Sequence, residues 1–114
     1  LGLLEGEVDA LIEAKAHRPF YMHGVSHYLG MDVHDVGRYS TQGESRPLEE
    51  GMVLTVEPGI YISPDNSDVP QKWRGIGIRI EDDVLVGSDG PVNLTEGIPK
   101  TVEAVEEACL STGI

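Results

Sequence analysis

The chain has 114 residues, with 20 Asp and Glu against 8 Lys and Arg, for a formal net charge of −12. That balance argues against a nucleic-acid backbone or an anionic membrane as partner and leaves a divalent cation permitted. No apolar stretch approaches the roughly 20 residues of a membrane span, and no signal peptide is visible. Cys109 is the only cysteine, so no intrachain disulfide is possible, which fits a reducing cytoplasm. The length suits one small domain with a single core. The chain starts at Leu1, and LGLLEGEVDALIEAKA opens as though a helix were already under way, which suggests a fragment of a longer protein.

Val8, Leu11, Ile12 and Lys15 predict a short amphipathic helix over residues 7–16. Pro19 is expected to close it, and His17 to be a surface residue favoured by the helix dipole. Residues 20–29 read as extended. Residues 38–51 are polar and rich in turn formers, and read as a loop. Met-Val-Leu-Thr-Val-Glu, residues 52–57, predicts a strand bounded by Gly51 and Pro58. Residues 59–62 continue it after a bend, and residues 63–75 form a second loop. Residues 76–86 predict the longest strand, with Ile76, Ile78 and Ile80 on one face and Gly77, Arg79, Glu81 and Asp83 on the other. Residues 88–91 are a turn, and Thr101 caps a final helix through Val105 and Cys109. The order of helix, strands and helix predicts an α+β fold with an antiparallel sheet.

The chemistry is concentrated in HGVSHYLGMDVHDVG, residues 23–37, which holds His23, His27 and His34, three of only four histidines. Glu57 and Glu81 each interrupt a run that otherwise reads as a buried strand. A carboxylate there is costly unless compensated, and one imidazole with two carboxylates suits Mn²⁺, Fe²⁺, Co²⁺ or Zn²⁺. Taken singly, each glutamate is more simply an edge residue or an arginine partner, and Arg79 lies two positions from Glu81. His23 and His34 could hold a substrate carbonyl or carry a proton, with Asp35 placed to orient His34. Trp73 and Tyr28 read as packing residues. The His-Glu-x-x-His pattern, a nucleophile elbow, a phosphate loop and a dinucleotide fingerprint are all missing from the sequence.

FYMHGVSHYLGMDVHDVG, LEEGMVLTVEPGIYI and RGIGIRIEDDVLV, in this order and spacing, resemble the creatinase/aminopeptidase P family of pita-bread metallopeptidases. The resemblance implies that residues 1–114 form the C-terminal half of a pita-bread catalytic domain, without its upstream part or N-terminal domain. It implies hydrolysis of the bond between an N-terminal residue and proline, by a hydroxide bridging two divalent ions, manganese by family expectation. His27 matches the family's histidine ligand, Glu57 a glutamate ligand of one metal, and Glu81 the glutamate bridging both. His23 and His34 match substrate-site histidines, Arg79 an active-site arginine, and Tyr61 falls beside the site. Two further aspartate ligands are expected upstream, so this chain alone should bind metal weakly, lack activity and expose apolar surface. The implied partners are peptides with proline in second position, and the implied full-length state is a cytoplasmic homo-oligomer. Prolidase is the close rival, although the compact 63–75 loop looks more like the aminopeptidase branch. A non-enzymatic binding module of the same fold is the other alternative.

Overall fold

The computed structural model describes residues 1–112. Two compact units emerge, one from Leu1–Val25 with Glu57–Glu81, the other from Ser26–Val56 with the chain from Asp82 onward.

The first unit contains helix α1 (Val8–Glu13). This helix is shorter than predicted and ends well before Pro19. Lys15 takes a left-handed φ of 54°, Ala16 N–H donates to Leu11 O at 2.9 Å and Lys15 N–H to Ile12 O at 3.0 Å. These are the two bonds of a Schellman turn, here built on lysine instead of glycine. His17 consequently lies outside the helix, in the turns that follow, and has no helix dipole to favour it. Its carbonyl accepts the N–H groups of Phe20 and Tyr21.

The unit's sheet is a two-stranded antiparallel ladder. We label its strands β4 (Gly59–Tyr61) and β5 (Gly77–Arg79), leaving β1 to β3 to the second unit. Gly59 opposes Arg79, Ile60 opposes Ile78 and Tyr61 opposes Gly77. The loop between them contains a 3₁₀ turn at Gln71–Trp73. It is tied by Arg74, which donates to Val69 O at 2.8 Å and Ser67 O at 3.0 Å. Ile62 and Val69 are the only buried hydrophobic side chains among the described residues.

The second unit is built on a three-stranded antiparallel sheet ordered β3 (Val53–Val56), β6 (Asp82–Gly87), β7 (Gly90–Asn93). Residues 27–29 run antiparallel along the open side of β3: Thr55 N–H donates to His27 O at 2.9 Å and Leu29 N–H to Val53 O at 2.9 Å. The Thr55 hydroxyl accepts the His27 N–H at 3.1 Å, so a side chain replaces one backbone acceptor. Thr55 is 1% exposed, and a buried hydroxyl in such a place needs partners of this kind. Strand β7 was not anticipated beyond its turn; Pro91 is tolerated because β7 is an edge strand. The predicted 38–51 loop holds a small hairpin, β1 (Ser40–Thr41) with β2 (Glu44–Ser45). It turns through Gln42 and Gly43, both at positive φ. Helix α2 (Val102–Thr112) starts as expected, with Thr101 Oγ1 accepting the Ala104 N–H at 3.2 Å.

The predicted 76–86 strand is two strands, broken at Ile80 and Glu81. The cause lies opposite: Pro58 has no N–H to give the ladder, although its carbonyl still accepts the Ile80 N–H at 3.1 Å. Among the described residues many aliphatic side chains lie open, Ile78 at 60% and Met31 at 105% exposure being examples. No helix among the described residues is long and apolar enough to cross a membrane.

Candidate functional site

In the first unit the β4–β5 register decides which side chains meet. Gly59, Tyr61, Gly77 and Arg79 share one face, and Ile60 and Ile78 the other. Counting on past Pro58 and Ile80 puts Glu57 opposite Glu81 on the polar face. A carboxylate oxygen of Glu57 and one of Glu81 lie within 4.8 Å of each other. Glu57 is 7% exposed, whereas Glu81 is open. Arg79 Nη1 lies 3.4 Å from Glu57 Oε2. Arginine thus pairs with the buried carboxylate instead of its sequence neighbour Glu81.

Tyr61 joins this pair to His23. Arg79 Nε donates to the Tyr61 hydroxyl at 2.8 Å, and that hydroxyl lies 2.8 Å from His23 Nε2. His23 Nδ1 is 2.7 Å from Gly24 O. A carbonyl only accepts, so Nδ1 carries the proton and Nε2 accepts from Tyr61. The result is one directed chain of donation, from Arg79 through Tyr61 and His23 to a backbone carbonyl. The Tyr61 hydroxyl bond, followed by the phenolic and carboxylate charges nearby, raises the Arg79 pKa.

This arrangement leaves no room for a side chain at Gly59 and little at Gly77. A Cβ on Gly59 would stand 2.6 Å from the Tyr61 hydroxyl oxygen, and one on Gly77 would stand 3.2 Å from the ring. The ring therefore lies across the space that two missing side chains leave. Tyr21 also belongs to this cluster, and nothing in the sequence pattern singled it out. Its ring meets His23 edge-on, with centroids 4.7 Å apart. Its hydroxyl is buried without a hydrogen-bond partner among the described residues. Burial first, then the Glu57 charge, raises the Tyr21 phenol pKa.

In the second unit His27 is fixed by its backbone pairing with Thr55, and its ring meets His34 edge-on at 4.5 Å. Its Nδ1 lies 3.1 Å from Tyr28 O. Asp35 does not orient His34 as expected; it accepts the Gly37 N–H at 3.1 Å and its carboxyl sits against Gly30. Tyr28 stacks on Tyr39 at 4.7 Å, as its packing role predicts. Of the expected site residues, Glu57, Glu81, Arg79 and His23 thus gather in the first unit, and His27 and His34 in the second.

Known proteins show the same pattern over the same stretch. The chain is 60% identical over 106 residues to the Xaa-Pro aminopeptidase of Escherichia coli, which covers 93% of this chain and 24% of that protein. It is 57% identical over 106 residues to the Haemophilus influenzae Xaa-Pro aminopeptidase, with the same coverage. Among solved structures, the Pseudomonas aeruginosa aminopeptidase PepP superposes with a TM-score of 0.92 at 59% identity, over 98% of this chain and 25% of that one. The chain therefore spans about a quarter of the length of these relatives. The likeness bears out the α+β, antiparallel fold class. Residues 2–88 match the family model for metallopeptidase family M24. With the ordered motifs, the fold and most of its length in agreement, the chain belongs to metallopeptidase family M24.

Proposed function

We propose that this chain is the C-terminal portion of the catalytic domain of an Xaa-Pro aminopeptidase, a hydrolase that releases the N-terminal residue preceding proline. The observation that carries the reading is the pair of carboxylates, Glu57 and Glu81, within 4.8 Å on one face, one of them buried. Two like charges at that separation repel. A divalent cation answers that need. Within the first unit Glu57 and Glu81 can each offer one ligand atom; with the imidazole that the family resemblance assigns to His27, such a nitrogen and oxygen set fits Mn²⁺ or a similar ion. Two such ions, with aspartates from elsewhere in the full-length protein, complete the reading; when bound they supply hydroxide at neutral pH and polarise the scissile carbonyl.

The chain's own residues do the rest. Glu57 and Glu81 stand just beyond the Gly59–Arg79 end of the β4–β5 ladder. Arg79 balances Glu57, and the Gly24 carbonyl sets the tautomer of His23, whose Nε2 then accepts from Tyr61. His23 then positions substrate, and His34 is the second substrate-site imidazole, favouring the oxyanion. The names of the relatives support peptide substrates with proline in second position. The single cysteine, Cys109, allows no intrachain disulfide, which suits a cytoplasmic protein.

The test is hydrolysis of an Xaa-Pro-Yaa tripeptide against an Xaa-Pro dipeptide by the full-length protein with Mn²⁺. Tripeptide cleavage that Glu81→Ala abolishes is expected. Preference for the dipeptide would make it a prolidase, and metal-independent cleavage would sink the reading.

A further inference from the structure

Glu81 opens a run of three acids, Glu81, Asp82 and Asp83. Asp82 begins β6, in the second unit. There Asp82 Oδ1 lies 2.9 Å from Lys100 Nζ and accepts from Thr95 Oγ1 at 2.8 Å. The same Thr95 oxygen accepts the Asp83 N–H at 3.0 Å. Lys100 Nζ also donates to Thr95 O at 2.7 Å and Ile98 O at 3.1 Å, so all three of its N–H groups are engaged. Leu94 N–H closes the cluster on Asp83 O at 2.8 Å.

Asp82 and Lys100 keep side-chain exposures of 24% and 22%, so their attraction is screened less than that of an open surface pair. The network grips the side chain of residue 82 and the backbone of residue 83, directly after Glu81. This is also where the ladder has lost a donor at Pro58, so the strand's own hydrogen bonds hold Glu81 less firmly.

We propose that Lys100 is a positioning residue for Glu81, acting through Asp82 and Thr95 on the backbone that carries the ligand. The inference rests on the reading of Glu81 as a metal ligand. It does not require Lys100 to touch metal or substrate.

The experiment is Mn²⁺ titration of the metal-stripped, full-length protein by calorimetry, with thermal melting of each apo variant alongside. Lys100→Met is expected to weaken Mn²⁺ binding about tenfold or more, the usual cost of losing an outer-sphere support. Asp82→Asn should do the same, and the double variant should be no worse than the weaker single, because one pair is being removed. Lys100→Arg, which keeps the charge, should recover part of the affinity. Mn²⁺ affinity within about twofold of wild type in a folded Lys100→Met protein, whatever its melting temperature, would reduce the network to a loop staple and overturn the proposal. Additive losses in the double variant would also overturn it. If Lys100→Met does not fold, Thr95→Ala removes only the hydroxyl bridge and is judged by the same criterion. A wild-type protein that binds no Mn²⁺ would remove the metal reading and this inference together. Binding that Glu81→Ala abolishes and Lys100→Met leaves intact would remove this inference alone.

Discussion

The two faces of the β4–β5 ladder are made from the same six positions and have opposite character. One presents Tyr61 and Arg79 over two glycines. The other presents Ile60 and Ile78, continued by Ile76 and Ile80 in a groove of about 440 Å³ that Trp73 also lines. The polar face spends most of its hydrogen bonds internally, on the chain from Arg79 to His23. The apolar face is largely open among the described residues, and its isoleucines stand 39–60% exposed. A short ladder can thus be specific on one side and merely sticky on the other. The first property depends on fixed distances, the second on area.

The contrast can be broken most severely at Gly59. A Gly59→Ala change should push Tyr61 off Arg79 and His23, lowering kcat/KM of the full-length protein by about a hundredfold with about 1–3 kcal/mol of lost stability. Steady-state kinetics and a melt on one preparation would show both, and wild-type kinetics would refute the steric argument. Tyr61→Phe is gentler. It removes a hydroxyl shared by two partners and should cost about tenfold in kcat/KM, because Arg79 Nε and His23 Nε2 both lose it. On the other face, Ile60→Lys with Ile78→Lys in the isolated 114-residue chain should lower the binding of an apolar dye and reduce self-association. Unchanged dye binding would mean the exposed surface lies elsewhere.

The smallest effect is expected at Tyr21. Its phenol pKa is raised in the fold, mainly by burial. A group raised above its unfolded value contributes stability that is complete below the unfolded pKa and lost as pH rises through the folded one. Denaturant melts of the full-length protein should therefore show alkaline destabilisation above about pH 10, and Tyr21→Phe should show less of it. Equal alkaline slopes for the two proteins would place the titrating group elsewhere.

Much of this was legible because strand alternation is local. Val53 to Val56 reads as a strand from its β-branched run, and the split of Ile76, Ile78 and Ile80 from Arg79 and Glu81 follows from a period of two. Thr101 capped the last helix where a hydroxyl before an amphipathic run should. What stayed hidden depends on a partner distant in sequence. The break at Ile80 is caused by Pro58, twenty-two positions earlier, and the choice of Glu57 over Glu81 as the Arg79 partner follows from register. Lys100 reaches Asp82 only because β7 and its loop return it there, which no motif announces. The helix end at Lys15 was hidden for another reason: its left-handed turn is normally marked by glycine.

The alternation has a consequence for how such a chain tolerates changes in length. Between β4 and β5 the loop from Ser63 to Gly75 can lengthen or shorten at little entropic cost. Inserting one residue within either strand is different in kind. It would exchange odd for even positions, carry isoleucines onto the side of Glu57, and turn Tyr61 or Arg79 toward the groove. The site is thus written partly in parity, so single-residue insertions in the strands should be far more damaging than insertions of many residues in the loop between them.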